Sequence, residues 1–204
     1  MQKANNPISQ KNPSWSILAW IFLCFLLLSS INGGFSYLFD VVLFDLKIGY
    51  GYMYFAVFFF SIVLYFFYEK LQIKWLGTIV FGLMGLIGIP IEYWLEYLVT
   101  PALKSIWGAI GWGVIYILYG LVADLSMFLV KIMKKRKRAV FLSGLLFSAA
   151  LLGLSIIPLN WFYNPIPADT NYLTYAWFLM PFGILQGSLG ALLGHLLPNG
   201  KIGP

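Results

Sequence analysis

The chain has 204 residues, of which 61% are hydrophobic, 19% aromatic and only 10% charged, with a formal net charge of +6. A soluble domain carries about 25% charged residues, so this composition excludes a water-covered globule and makes lipid the solvent. Membrane orientation accounts for the positive balance without nucleic acid, and the single cysteine, Cys24, excludes an intrachain disulfide or a cysteine metal cluster.

Six apolar runs follow in chain order, at residues 16–39, 50–68, 75–91, 108–130, 139–158 and 172–197. Each is long enough to cross a hydrocarbon core of about 30 Å as a helix. The expected fold is an all-α integral membrane protein, a six-transmembrane-helix bundle over residues 16–197 between tails at 1–15 and 198–204. The third run is the shortest and stops at Pro90. Residues 92–107 then read as a second, partly amphipathic piece lying at the interface. Between the fourth and fifth runs stand Lys131, Lys134, Lys135, Arg136, Lys137 and Arg138, six of the 13 basic residues. This stretch reads as a cytoplasmic loop. Lys3, Lys11, Lys70, Lys74 and Lys201 fall on the same side, against only Lys47 and Lys104 on the other. Positively charged connections stay inside, so both termini are expected in the cytoplasm and the protein in the plasma membrane as a multi-pass chain. The long polar tail before Ser16, with two lysines and no clean small-x-small cleavage site, points to an uncleaved first span rather than a signal peptide.

The polar residues inside this frame are few. Asp124 lies in the fourth run about two turns before the basic stretch, with no neighbouring base in its own helix. An ionisable group at that depth faces the bundle interior or a partner. It serves either as a structural hydrogen-bond acceptor for another helix or in coupling or ligand binding, with Gln186 as a second interior polar group. Glu92 and Glu96, one turn apart just past Pro90, share a helix face on the outer side. Around them the sequence sets Trp94, Trp107, Trp112, Trp161, Trp177 and Asn160. A cationic aromatic ligand stacked between rings and neutralised by a carboxylate would use such a set. An interfacial aromatic belt on a solvated helix would produce many of the same residues. Gly183, Gly187, Gly190 and Gly194 form small-residue stripes in the sixth run, suited to close helix packing within the bundle or to docking another subunit.

Catalytic constellations are poor. His195 is the lone histidine, and no Walker loop, nucleophile elbow or HExxH occurs. The expectation is a non-enzymatic chain with no cofactor and no metal site. Any uptake it drives draws energy from elsewhere.

Two stretches carry a family resemblance: Gly113-Val-Ile-Tyr-Ile-Leu-Tyr-Gly-Leu-Val-Ala-Asp124-Leu-Ser-Met-Phe128, and Tyr172-Leu-Thr-Tyr-Ala-Trp-Phe-Leu-Met-Pro-Phe-Gly183-Ile-Leu-Gln-Gly187-Ser-Leu-Gly190-Ala-Leu-Leu-Gly194. With six spans and about 200 residues, the chain resembles the substrate-binding S component of energy-coupling-factor transporters, the thiamine-precursor type above all. That resemblance implies a vitamin or small-nutrient ligand, a transmembrane coupling subunit and separate ATPases as partners. The family's Ala-x-x-x-Ala docking motif is missing from the first span; Ser30-x-x-x-Gly34 is a displaced substitute. A second resemblance rests on Ser30-Ile-Asn-Gly-Gly34, Leu98-Val-Thr-Pro101, Ala123-Asp-Leu125 and Ile157-Pro-Leu-Asn160, which are similar in order to the membrane A subunit of copper-dependent ammonia or methane monooxygenases. It implies a subunit of a membrane enzyme complex. A structural membrane protein without ligand is the third reading.

Overall fold

The structure is a computed structural model. It describes residues 15–37, 52–91, 94, 106–133, 136–162 and 172–199, with side chains for 15–35, 55–91, 94, 110–133, 136–155 and 179–198. Among these residues the chain is all helical: α1 (Trp15–Tyr37), α2 (Tyr52–Leu71), α3 (Leu76–Leu83), α4 (Ile106–Ile132), α5 (Arg136–Phe162) and α6 (Tyr172–Leu196), closed by a 3₁₀ turn at Leu197–Asn199. A π-helical turn, Met84–Gly88, prolongs α3, and the apolar helix continues to Ile91. Four of the helices, over Trp15–Phe35, Ile110–Ile132, Arg136–Ser155 and Leu179–Leu196, are long and apolar enough to cross a membrane.

Each apolar run is a helix, and the differences lie at the ends. The basic stretch is mostly helical rather than a loop. Lys131 sits in the last turn of α4, and Arg136, Lys137 and Arg138 form the first turn of α5. Lysine and arginine are good helix formers, so a helix can run past the hydrocarbon into water without changing its backbone. Pro158, where the fifth run was expected to end, lies inside α5, and Pro181 lies inside α6. Spanning helices tolerate proline because neighbouring groups satisfy the freed carbonyl. Of the interfacial piece expected at 92–107 only Trp94 and the first residues of α4, Ile106 and Trp107, are described; of the tails expected at 1–15 and 198–204, Trp15 opens α1 and Pro198 and Asn199 lie in the 3₁₀ turn, and the rest lies outside the described residues.

The six helices close a ring: α1 packs on α2, α2 on α6, α6 on α5, α5 on α4, α4 on α3, and α3 returns to α1. Successive helices alternate in direction. Lys70 near the end of α2 lies over the Trp20 ring near the start of α1, 3.7 Å from its centroid. Glu69 meets Arg136 at the start of α5 and His195 at the end of α6. One end of the bundle therefore gathers the starts of α1, α3 and α5 and the ends of α2, α4 and α6. This is the basic end.

The outward faces are apolar, as a chain dissolved in lipid requires. On α4, Ile110, Val114, Leu121, Leu125 and Phe128 are exposed at helical spacing, while Ile115, Tyr116, Tyr119, Ala123, Asp124 and Met127 face inward. On α6 the exposed stripe is Phe182, Leu185, Leu189 and Leu193. Glycines set the closest crossings. A Cβ on Gly120 of α4 would lie 2.6 Å from the Thr78 Cα of α3, and one on Gly85 would lie 2.5 Å from the Gly113 carbonyl oxygen. Between these backbones there is no room for a side chain.

Candidate functional site

The interior of the bundle is built around α4. Trp112, Tyr116, Tyr119, Ala123 and Asp124 follow at helical spacing down its inner face. Trp112 and Tyr116 have ring centroids 6.4 Å apart, and Tyr116 and Tyr119 5.4 Å apart. Phe81 of α3 packs edge-on to Tyr119 and tilted against Tyr116 and Phe147. Each hydroxyl is taken by another helix. Tyr116 donates to Asn32 Oδ1 of α1 at 2.7 Å, and Tyr119 shares a 2.6 Å hydrogen bond with Ser155 of α5. Ser155 also donates to the Leu151 carbonyl. The result is an aromatic column with fixed polar tips in the bundle interior. A buried hydroxyl without a partner would be costly.

Asp124 lies below this column, about 12 Å along the helix from its basic end at 1.5 Å per residue. Its carboxylate accepts four hydrogen bonds. The Gly77 N–H reaches Oδ1 at 2.9 Å, the Thr78 N–H reaches Oδ2 at 2.8 Å, the Thr78 hydroxyl reaches Oδ2 at 2.5 Å, and the Tyr68 hydroxyl also donates to Oδ1. Gly77 and Thr78 belong to the first turn of α3, whose own N-cap, Trp75, supplies no side-chain bond. The first N–H groups of a helix have no partner within it and carry its positive end. Asp124 therefore caps α3 from another helix. The turn before α3 is tight. Gln72 has φ 54°, and its N–H closes α2 on the Tyr68 carbonyl.

A second polar cluster joins three helix ends. Glu69 Oε2 accepts from Arg136 Nη2 at 2.6 Å, and Oε1 lies 2.9 Å from His195 Nδ1. The Glu69 and His195 side chains are buried. Sequence reasoning did not pair these residues, because the partners lie on three different helices. It also passed over Tyr65, which shares a hydrogen bond with Ser143, and over Tyr68, Tyr116, Tyr119 and Asn32. The signal was present: Tyr65 with Tyr68, and Tyr116 with Tyr119, stand three residues apart on one helix face.

The expected site residues divide into three groups. Trp112 is half-buried in the column, whereas Trp94 is 61% exposed. Glu92 and Glu96 lie outside the described residues, as do the side chains of Trp107, Asn160, Trp161 and Trp177. In α6, Gly190 faces the Phe58 carbonyl and Gly194 the Ile62 carbonyl of α2, while Gly187 meets Ser148 of α5; Gly183 is buried. Gln186 is half-buried, and its Oε1, with the hydroxyls of Ser29, Ser61 and Ser148, is closed from solvent without a hydrogen-bond partner among the described residues. Among these residues no group of three metal-ligating side chains gathers.

No family model, curated protein or solved structure matches the chain.

Proposed function

We propose that the chain crosses the plasma membrane six times with both termini in the cytoplasm, and that it is the substrate-binding subunit of an uptake transporter for a small cationic or heteroaromatic nutrient. A transmembrane coupling subunit and separate ATPases complete the transporter. The observation that carries the reading is the aromatic column of α4. Trp112, Tyr116 and Tyr119 lead inward from the end of the bundle remote from the basic cluster, with polar tips held by Asn32 and Ser155. Rings held in place by these hydrogen bonds suit stacking of a flat ligand. Glu92, Glu96, Trp94, Trp107, Trp161 and Trp177 belong to the same outer side by sequence, and carboxylates there would neutralise a cationic ring. The unpartnered Gln186 oxygen adds an acceptor in the interior. The absence of any ATPase motif from the sequence fits a subunit that binds and leaves energy coupling to others.

The test is ligand binding by the purified full chain. Thiamine, its pyrimidine precursor and related cations are titrated against intrinsic tryptophan fluorescence and melting temperature. At least one compound should bind saturably. Trp112→Ala should weaken it roughly 2- to 30-fold, the range of about 0.5–2 kcal/mol for one ring contact. Glu92→Gln and Glu96→Gln should weaken cations more than neutral analogues. If no compound of this class alters either signal, the transport reading fails.

A further inference from the structure

At the basic end, remote from the proposed nutrient site, α2, α4 and α5 enclose a cavity of about 360 Å³. That volume falls within the roughly 300–1,000 Å³ of small-ligand sites. Its wall mixes polar and apolar groups. Lys131, Arg136 and Gln72 belong to the helix ends and the α2–α3 turn, and Met127, Val130 and Ile73 supply apolar lining. Lys131 is exposed and makes no ion pair among the described residues. The one carboxylate in the wall, Glu69, is already engaged on both oxygens by Arg136 and His195. An incoming anion therefore meets one unpaired cation, Lys131, the remaining donors of Arg136, and a carboxylate whose oxygens are covered. The guanidinium of Arg136 is a planar fork of five donors, of which Glu69 takes one arm, and such a fork matches phosphate oxygens.

The surroundings identify the carrier of that phosphate. Aromatic side chains typical of a membrane–water boundary stand at the same end: Trp20 beneath Lys70, and Trp75, which is 60% exposed. One turn inward from Lys131, Phe128 is exposed on the lipid side of α4, and Leu125 continues the same apolar face. A headgroup in the cavity would rest its glycerol and first acyl carbons on the cavity's own apolar lining of Met127, Val130 and Ile73. Free phosphate would use the cations and leave the apolar wall unused.

We propose that this cavity binds the phosphate of an anionic phospholipid in the leaflet at the basic end of the bundle. Basic pockets between spanning helices bind anionic headgroups on this principle, each properly placed cation being worth about a fivefold gain in affinity.

The full chain, purified in neutral detergent, is titrated with phosphatidylglycerol, phosphatidylcholine or inorganic phosphate, and bound lipid and melting temperature are followed. Phosphatidylglycerol should bind saturably and raise the melting temperature, and phosphatidylcholine should do neither. Lys131→Gln should weaken phosphatidylglycerol about fivefold, while Lys131→Arg retains it. Lys137→Gln, an exposed cation near the cavity that does not line it, should change affinity less than about twofold. Equal losses for Lys131→Gln and Lys137→Gln would replace the site with diffuse surface attraction and overturn the proposal. Equal binding of phosphatidylcholine would overturn it too. Saturable stabilisation by inorganic phosphate without any by phosphatidylglycerol would overturn the lipid assignment. The nutrient titrations read the other end of the bundle, so the two proposals fail independently.

Discussion

Asp124 shows how one side chain can organise two helices. A carboxylate buried in α4 takes the first-turn N–H groups of α3, the Thr78 hydroxyl and the Tyr68 hydroxyl together. Asp124→Ala leaves these donors buried without an acceptor. A lost cap costs about 0.5–2 kcal/mol and each stranded donor about 1–3 kcal/mol, so partial relaxation leaves an expected loss of about 3 kcal/mol. Asp124→Asn retains one acceptor but turns an NH₂ toward a donor, and should lose about half as much. Tyr68→Phe removes one donor and should cost about 1 kcal/mol. Unfolding of the three variants in detergent checks the order. If Asp124→Ala unfolds like the parent yet fails to bind nutrient, the carboxylate belongs to the ligand and not to the cap. The sequence made Asp124 visible because a lone acid in a lipid-soluble run is expensive. Its partners were not visible: Gly77 and Thr78 donate N–H groups that any residue type except proline carries, and the Thr78 and Tyr68 hydroxyls come from other helices.

Helix crossings are decided by whether a glycine faces backbone, side chain or open space. A Cβ on Gly190 would sit 2.4 Å from the Phe58 carbonyl oxygen and one on Gly194 2.3 Å from that of Ile62. Backbone cannot yield without moving α2. At Gly187 the neighbours are side-chain atoms, the Ser148 hydroxyl, which a rotamer change can remove, and the Ser148 Cβ at 2.8 Å, which only a small helix shift relieves. Gly34 of α1 has nothing within 4 Å. Alanine at Gly190 or Gly194 should therefore destabilise by about 1–3 kcal/mol, alanine at Gly187 by less, and alanine at Gly34 should be neutral or stabilise by up to about 1 kcal/mol through helix propensity. Melting temperatures of the four variants test the ranking. Equal effects at Gly34 and Gly190 would show that helix propensity, and not the close approach, governs the response. The helices were legible at this scale because each apolar run is bounded by charge, proline or glycine. The stripe Gly183, Gly187, Gly190 and Gly194 was legible as a packing surface, but the sequence left its partner open between the bundle and another subunit. The answer needed the positions of α2 and α5. The π turn at Met84–Gly88 left no mark in the periodicity, since it inserts a single wider turn among residues that are apolar on every side.

For the whole molecule the question is which way the basic end points. The alternation of helix directions and the distribution of charge are independent observations, one from packing and one from sequence. Both place Lys70, Lys74, Lys131, Arg136, Lys137 and Arg138 together at one end. Cytoplasmic retention of lysine and arginine near span ends then sets the direction. On the proposed six crossings, both termini belong on that same side and the connection between α5 and α6 on the opposite one. Reporter fusions at Lys74, Arg136 and Pro204 should therefore read as cytoplasmic, and a fusion at Asp169 as external. The four positions discriminate among the alternatives. An external reading at Arg136 with a cytoplasmic one at Asp169 would invert the protein and move the proposed nutrient site to the cytoplasmic face. Readings on one side at both Arg136 and Asp169 would remove α5 as a span and reject the six-crossing bundle. The length of α5 bears on its own crossing: its 27 residues reach about 40 Å at 1.5 Å per residue, enough to clear the hydrocarbon and carry its first basic turn into water.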